Sequence, residues 1–194
     1  MNARRFTLLF VFASMLAACG SSPSVKYYTL SPEAAAGGSN PNLALKIGPV
    51  EFPRSLARSQ IVTRASSTQL NVDEFNIWSA PLENQFLQVL GDNIGTATGS
   101  NKIVVYPNEA TFPVDYQVLV DVLQFDGDKG SSVTLRARWA ITKADGSAVD
   151  SGLYAQSQAS GGSSYDALVA AHSALVAALG QQLVTHINKL QPSP

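Results

Sequence analysis

From Val133 to Thr142 the chain alternates without a break. Val133, Leu135, Ala137, Trp139 and Ile141 stand on one side, and Thr134, Arg136, Arg138, Ala140 and Thr142 on the other. In a strand, residues two apart share a face, so this segment buries one face and wets the other. Such a strand needs neighbours along its edges and a layer over its apolar side. The neighbours are adjacent in sequence. Tyr116 to Phe125 is a strongly apolar strand, and Asp126-Gly127-Asp128-Lys129-Gly130 reads as the turn of a hairpin. Asp145-Gly146 then turns the chain into a further strand, about Val149 to Ser157.

Two segments have the helical period needed for the covering layer. Leu82, Phe86, Val89, Leu90 and Ile94 make one stripe. Ser79 is placed to cap that helix, Pro81 fits its first turn, Glu83 suits the positive end of its dipole, and Gly95 to Gly99 ends it. The second helix spans Tyr165 to about Leu190, with Leu168, Ala171, Leu175, Leu179, Leu183 and Ile187 on its stripe and many alanines that permit close approach to a sheet. Other strands are expected at Lys26–Leu30, at Leu43–Phe52 (interrupted near Gly48-Pro49), and at Lys102–Tyr106, closed by Pro107. Ile61–Arg64 and Gln69–Val72 form a hairpin around Ser66-Ser67. Ser31–Asn42 is a loop and Pro53–Arg58 a turn. The order of strands, helix, strands, helix predicts an α+β fold, a mostly antiparallel sheet with two amphipathic helices packed on one face.

The N-terminus reads differently. Arg4 and Arg5 precede the apolar stretch Phe6–Leu16, the layout of a secretory signal and too short to span a bilayer. Leu16-Ala17-Ala18-Cys19-Gly20 follows and resembles the lipobox of bacterial lipoproteins, in which cleavage before the cysteine leaves its thiol to carry a diacylglycerol. Cys19 is the one cysteine of the chain, so it is the expected lipid attachment residue, and the fold must hold without disulfides. One acyl chain binds a membrane only reversibly; the two or three of a lipoprotein anchor it. The absence of Asp after Cys19 points to the outer membrane, with the domain facing the periplasm. The chain therefore divides into a signal peptide (1–18), a lipidated cysteine and tether (19–26), a single α+β domain (27–190) and a tail (191–194). Seven extended residues of tether reach about 25 Å.

Without Arg4 and Arg5 the thirteen basic residues fall to eleven, against fourteen acidic ones, with no basic cluster. That argues against a nucleic-acid partner. No further apolar run reads as a membrane span. His172 and His186 lie on one helix about 21 Å apart, too far to share a metal. Asp126 and Asp128 lack the downstream acidic ligand of a calcium loop. Asp121 reads as a paired or edge carboxylate, and Arg64, Arg136 and Arg138 as solvated strand residues. No Gly-x-Ser-x-Gly elbow and no phosphate-binding glycine loop occurs. The expectation is a protein without a catalytic site, metal or cofactor. Tyr27 and Tyr28 must face opposite ways; one packs in the core and the other is a candidate partner contact.

Several segments together resemble the ABC-type transport auxiliary lipoproteins, in particular the PqiC (YmbA) group. They are Tyr27-Tyr28-Thr29-Leu30, Ile47-Gly48-Pro49-Val50, Gln60-Ile61-Val62-Thr63-Arg64 and Trp78-Ser79-Ala80-Pro81-Leu82, then Val105-Tyr106-Pro107, Tyr116–Val122, Phe125-Asp126, Ala137-Arg138-Trp139 and the final helix from Tyr165. Asn108 departs from the aromatic that the family pattern has there. The resemblance implies an outer-membrane subunit of an intermembrane lipid transport system of the PqiABC kind. It would dock to a tunnel-forming MCE (mammalian cell entry) protein, PqiB-like, with its inner-membrane component, and could assemble as a homo-oligomeric ring supporting envelope integrity. The alternative is a stand-alone periplasmic lipoprotein that binds lipid or envelope polymer. A deep apolar cavity would favour the alternative. The apolar residues are expected to cover one another and leave little to line a hole.

Overall fold

The computed structural model describes residues 23–191 except 34, 36 and 39. Cys19, the signal segment and the last three residues of the tail lie outside the described residues. The strands are β1 (Lys26–Tyr28), β2 (Ala44–Glu51), β3 (Gln60–Arg64), β4 (Leu70–Trp78), β5 (Lys102–Val105), β6 (Tyr116–Gly127), β7 (Ser132–Lys143) and β8 (Ala148–Ala159). The helices are α1 (Leu82–Thr98) and α2 (Tyr165–Leu190), and a 3-10 turn covers Arg54–Leu56.

β7 is the strand its alternation promised. Val133, Leu135, Ala137, Trp139 and Ile141 are buried, while Arg136 and Arg138 are exposed. Thr142, on the opposite face from Ile141, is buried as well. β6, β7 and β8 form a continuous antiparallel meander. The other edge of β6 is shared. β2 runs parallel to its first half, from Leu45 opposite Tyr116 to Glu51 opposite Asp121, and β3 meets its last residue through Thr63 and Gly127. β5 extends the β2 side in parallel, while β4 pairs antiparallel with β3 and takes β1 in parallel on its far edge. The result is an α+β domain with one eight-stranded sheet, dominated by antiparallel ladders. The parallel pairings of β2 with β5 and β6, and of β3 with β6, lie across α1, a crossover that hairpin reading does not foresee, and β1 reaches β4 across β2 and β3.

Both helices cover the same face. α1 lies over β2 and β5, α2 over β7 and β8, and the two pack on each other. Every residue of the two expected stripes is buried. By length and composition α2 is apolar enough to cross a membrane, contrary to expectation, yet here it is the central core helix with its stripe against the sheet.

Three local expectations change. Ser79 does not cap α1; Pro81 holds the cap position without a side-chain bond. Gln85 does the stitching instead, donating from Nε2 to Ala80 O (2.8 Å) and accepting at Oε1 from the Leu30 amide (2.9 Å). β4 continues to Trp78, well past Val72, because β3 and β1 pair with it on both edges and override the polar Asp73, Glu74 and Asn76. The β6–β7 turn shrinks to 128–131, since the ladder runs through Asp126 and Gly127. A Cβ on Gly127 would stand 2.2 Å from Ser132 O, so only glycine fits the last rung.

Candidate functional site

An open groove of about 520 Å³ lies where the chain enters the domain. Four segments build its walls: Tyr27 of β1, Phe52 just beyond β2, Leu56 to Ser59 of the 3-10 turn, and the Ile77-to-Glu83 stretch joining β4 to α1. The lining is mainly apolar, so the expectation that little would be left to line a hole is corrected. Sequence periodicity misses this groove because its residues come from strand ends and turns, where no period applies. The one local signal was the pair Tyr27-Tyr28. Tyr27 is 68% exposed on the groove wall. Tyr28 turns inward, donating from its hydroxyl to Asn76 Oδ1 (2.9 Å) and packing on the Tyr165 ring (5.9 Å).

Packed aromatic rings back the groove floor. Phe52 meets Phe86 edge-on at 5.3 Å, and Phe86 meets Phe125 at 5.4 Å. Trp78 packs its edge against His172 (5.7 Å), which in turn touches Phe125 (4.6 Å). His172 is fully buried, and burial pushes its pKa down to about 4, so the ring is neutral. Its Nδ1 lies 2.8 Å from Leu168 O, which places the proton on Nδ1. Nearby, Arg64 grips buried Asp126 with two hydrogen bonds, Nε to Oδ1 (2.8 Å) and an Nη to Oδ2 (2.7 Å). Burial alone would raise the Asp126 pKa, but the bonds from Arg64 and Gln124 outweigh it and hold the carboxyl below its usual range. This corrects two readings at once: Arg64 is not a simple solvated strand residue, and Asp126 is not a turn residue.

The rim carries charge of both signs. Arg58 and Glu83 line the groove and are exposed, and Arg54, also exposed, lies four residues before Arg58. Among the described residues, the side chains of Arg54, Arg58 and Glu83 make no hydrogen bond or ion pair.

At the other end of α1, about 25 Å away by helical rise, the surface mixes apolar and polar groups and is less apolar than the groove. There Asn40, Asp115, Lys143, Asp145 and Gln191 surround an open cleft of about 670 Å³. The Asn40 amide donates to Thr98 O (2.9 Å), tying this end to the close of α1. The remaining candidates are engaged elsewhere. Asp121 pairs with Arg138 on the exposed sheet face (3.2 Å), and His186 Nδ1 bonds Asp150 Oδ2 (2.7 Å). His172 and His186 are thus held by different partners.

One forked sheet with two helices on one face, and an open, mainly apolar groove with charged residues on its rim, define the class: an α+β domain with a surface groove. The family profile described as ABC-type transport auxiliary lipoprotein component matches residues 28–184, and the chain belongs to that family. Two crystal structures share the fold. One, of an uncharacterized protein, is 20% identical with a TM-score of 0.71, the match covering 84% of this chain and 99% of that one. The other, a protein of Xanthomonas campestris, is 15% identical with a TM-score of 0.70, covering 84% and 94%. Comparison with curated protein sequences finds no match.

Proposed function

We propose that this protein is the membrane-anchored lipoprotein subunit of an MCE-type, PqiABC-like intermembrane lipid transport system. Cys19 carries the lipid, the membrane is the outer membrane, and the domain faces the periplasm and docks to a tunnel-forming partner. The observation that carries the reading is the polarity of the domain's two ends. The chain enters β1 at Lys26 beside the mainly apolar groove, a few residues after Cys19, and the less apolar cleft, with Asp115, Lys143 and Asp145 in its lining, lies at the far end of α1. A tether of about 25 Å keeps the groove end at the membrane and forbids travel across a periplasm. The end that carries Asp115, Lys143 and Asp145 then meets the aqueous compartment and the conduit. No step of this role needs a catalytic group or a cofactor. A second reading, a stand-alone lipid-binding lipoprotein, is favoured by the groove itself.

Pull-down of the tagged full chain from detergent-solubilised envelopes tests the choice. Recovery of an MCE-domain protein, lost when Lys143 and Asp145 are both reversed in charge, is the expected result. Recovery of the lipoprotein alone, at every detergent concentration that keeps it folded, would refute docking and leave the second reading.

A further inference from the structure

The groove has a shape and a rim that call for a particular occupant. At about 520 Å³ it falls within the range of small-molecule sites, and it is lined by aromatic and aliphatic groups. Its rim holds Arg58 and Glu83, unlike charges that are not paired with each other. An unpaired guanidinium is a fork for phosphate oxygens, and an unpaired carboxylate accepts from an ammonium group. An apolar tail, a phosphate and an ammonium occur together in one class of molecule, the zwitterionic glycerophospholipids. Position supports the match: β1 begins at Lys26, so the tether from Cys19 ends on the groove wall at Tyr27. Tyr27, with its apolar ring and polar tip, is suited to the boundary between headgroups and acyl chains.

We propose that the groove grips one acyl chain of a membrane phosphatidylethanolamine, with its phosphate at Arg58 and its ammonium at Glu83. The inference rests on the tethered placement proposed above and adds the ligand class. Occupancy is by a lipid still at the bilayer surface. The groove is open, so one chain enters while the rest of the molecule stays among its neighbours. Trp78 forms part of the lining, whereas Trp139 packs between β7 and α2 against His186 and Gly152. Those two are the only tryptophans in the chain, so fluorescence distinguishes the groove from the core.

The test uses the full lipoprotein purified from membranes and reconstituted into vesicles of phosphatidylethanolamine brominated along one acyl chain. Trp139→Phe leaves Trp78 as the sole reporter, and Trp78→Phe leaves Trp139. The expected result is loss of most Trp78 emission relative to unbrominated vesicles, with Trp139 emission unchanged. Ala57→Phe fills the groove from an exposed position, so the core is untouched, and should restore Trp78 emission; Arg58→Glu should restore part of it. Vesicle flotation is measured on the same samples. Protein that floats with unquenched Trp78 overturns the groove assignment while leaving the tether intact. Protein that fails to float overturns the tethered placement and the inference with it. Equal quenching of both tryptophans also overturns it, because it would report unfolding onto the membrane.

Discussion

Replacing Trp139 with Ala tests the core at its tightest point. Trp139 is 4% exposed, its ring centroid lies 4.6 Å from that of His186, and it sits directly under Gly152 of the neighbouring strand. Truncating a large buried aromatic costs about 3–5 kcal/mol. The contact with the His186 ring adds to the loss, by up to about 1.5 kcal/mol for a well-oriented aromatic pair. One term runs the other way. Among the described residues the buried indole Nε1 has no hydrogen-bond partner, and removing such a group returns about 1–3 kcal/mol. The net expectation is a loss of about 3 kcal/mol. Trp139→Phe, which removes the orphaned N–H but keeps a ring, should lose less than about 1.5 kcal/mol. Gly152 supplies a second handle, because a Cβ there would stand 2.7 Å from Trp139 Cζ2. Gly152→Ala should therefore destabilise the wild type by about 1–3 kcal/mol and be nearly neutral beside Trp139→Ala. Urea denaturation of the chain from Gly20 onward measures all four variants, read from midpoints at constant slope. A loss below about 1 kcal/mol for Trp139→Ala, or additive effects with Gly152→Ala, would refute the packing argument.

Three further expectations follow from the same structure. His172 binds its proton at about pH 4 in the fold against 6.5 in the open chain, so between those values the unfolded state holds more protons. Stability should fall as pH drops from about 6.5 to about 4, by roughly 3 kcal/mol in all, and His172→Phe should flatten that slope in denaturation series across the range. Arg64→Ala leaves Asp126 buried without its cation. A fully buried pair would lose about 3–5 kcal/mol, and the partly exposed Arg64 brings this to about 2–3 kcal/mol by the same assay; an unchanged midpoint would show that water replaces the guanidinium. Cys19→Ala should abolish incorporation of labelled fatty acid and release the domain from membranes, and label retained on the variant would sink the lipobox reading.

Local pattern was enough for much of this molecule. Two-residue alternation identified β7 and its buried face, short turns joined it to β6 and β8, and every residue of the two helical stripes is buried, although Leu87, Val169, Val176 and Val184 are buried beside them. Those features are written between residues a few positions apart, where backbone geometry alone sets the period. Tertiary structure decided what no period contains. The parallel pairing of β2 with β5 and β6 joins segments far apart in sequence, as does β1 with β4. Arg64 and Asp126 are 62 residues apart and meet only because β3 touches the end of β6. The groove has the same origin. Tyr27, Phe52, Leu56 and Trp78 sit at the ends of separate elements, and their shared cavity exists only once the sheet has forked around β6 and α1 has closed over it. Residues at strand ends and turns carry no repeating signal of which face they will share, because that face is set by the packing of distant elements.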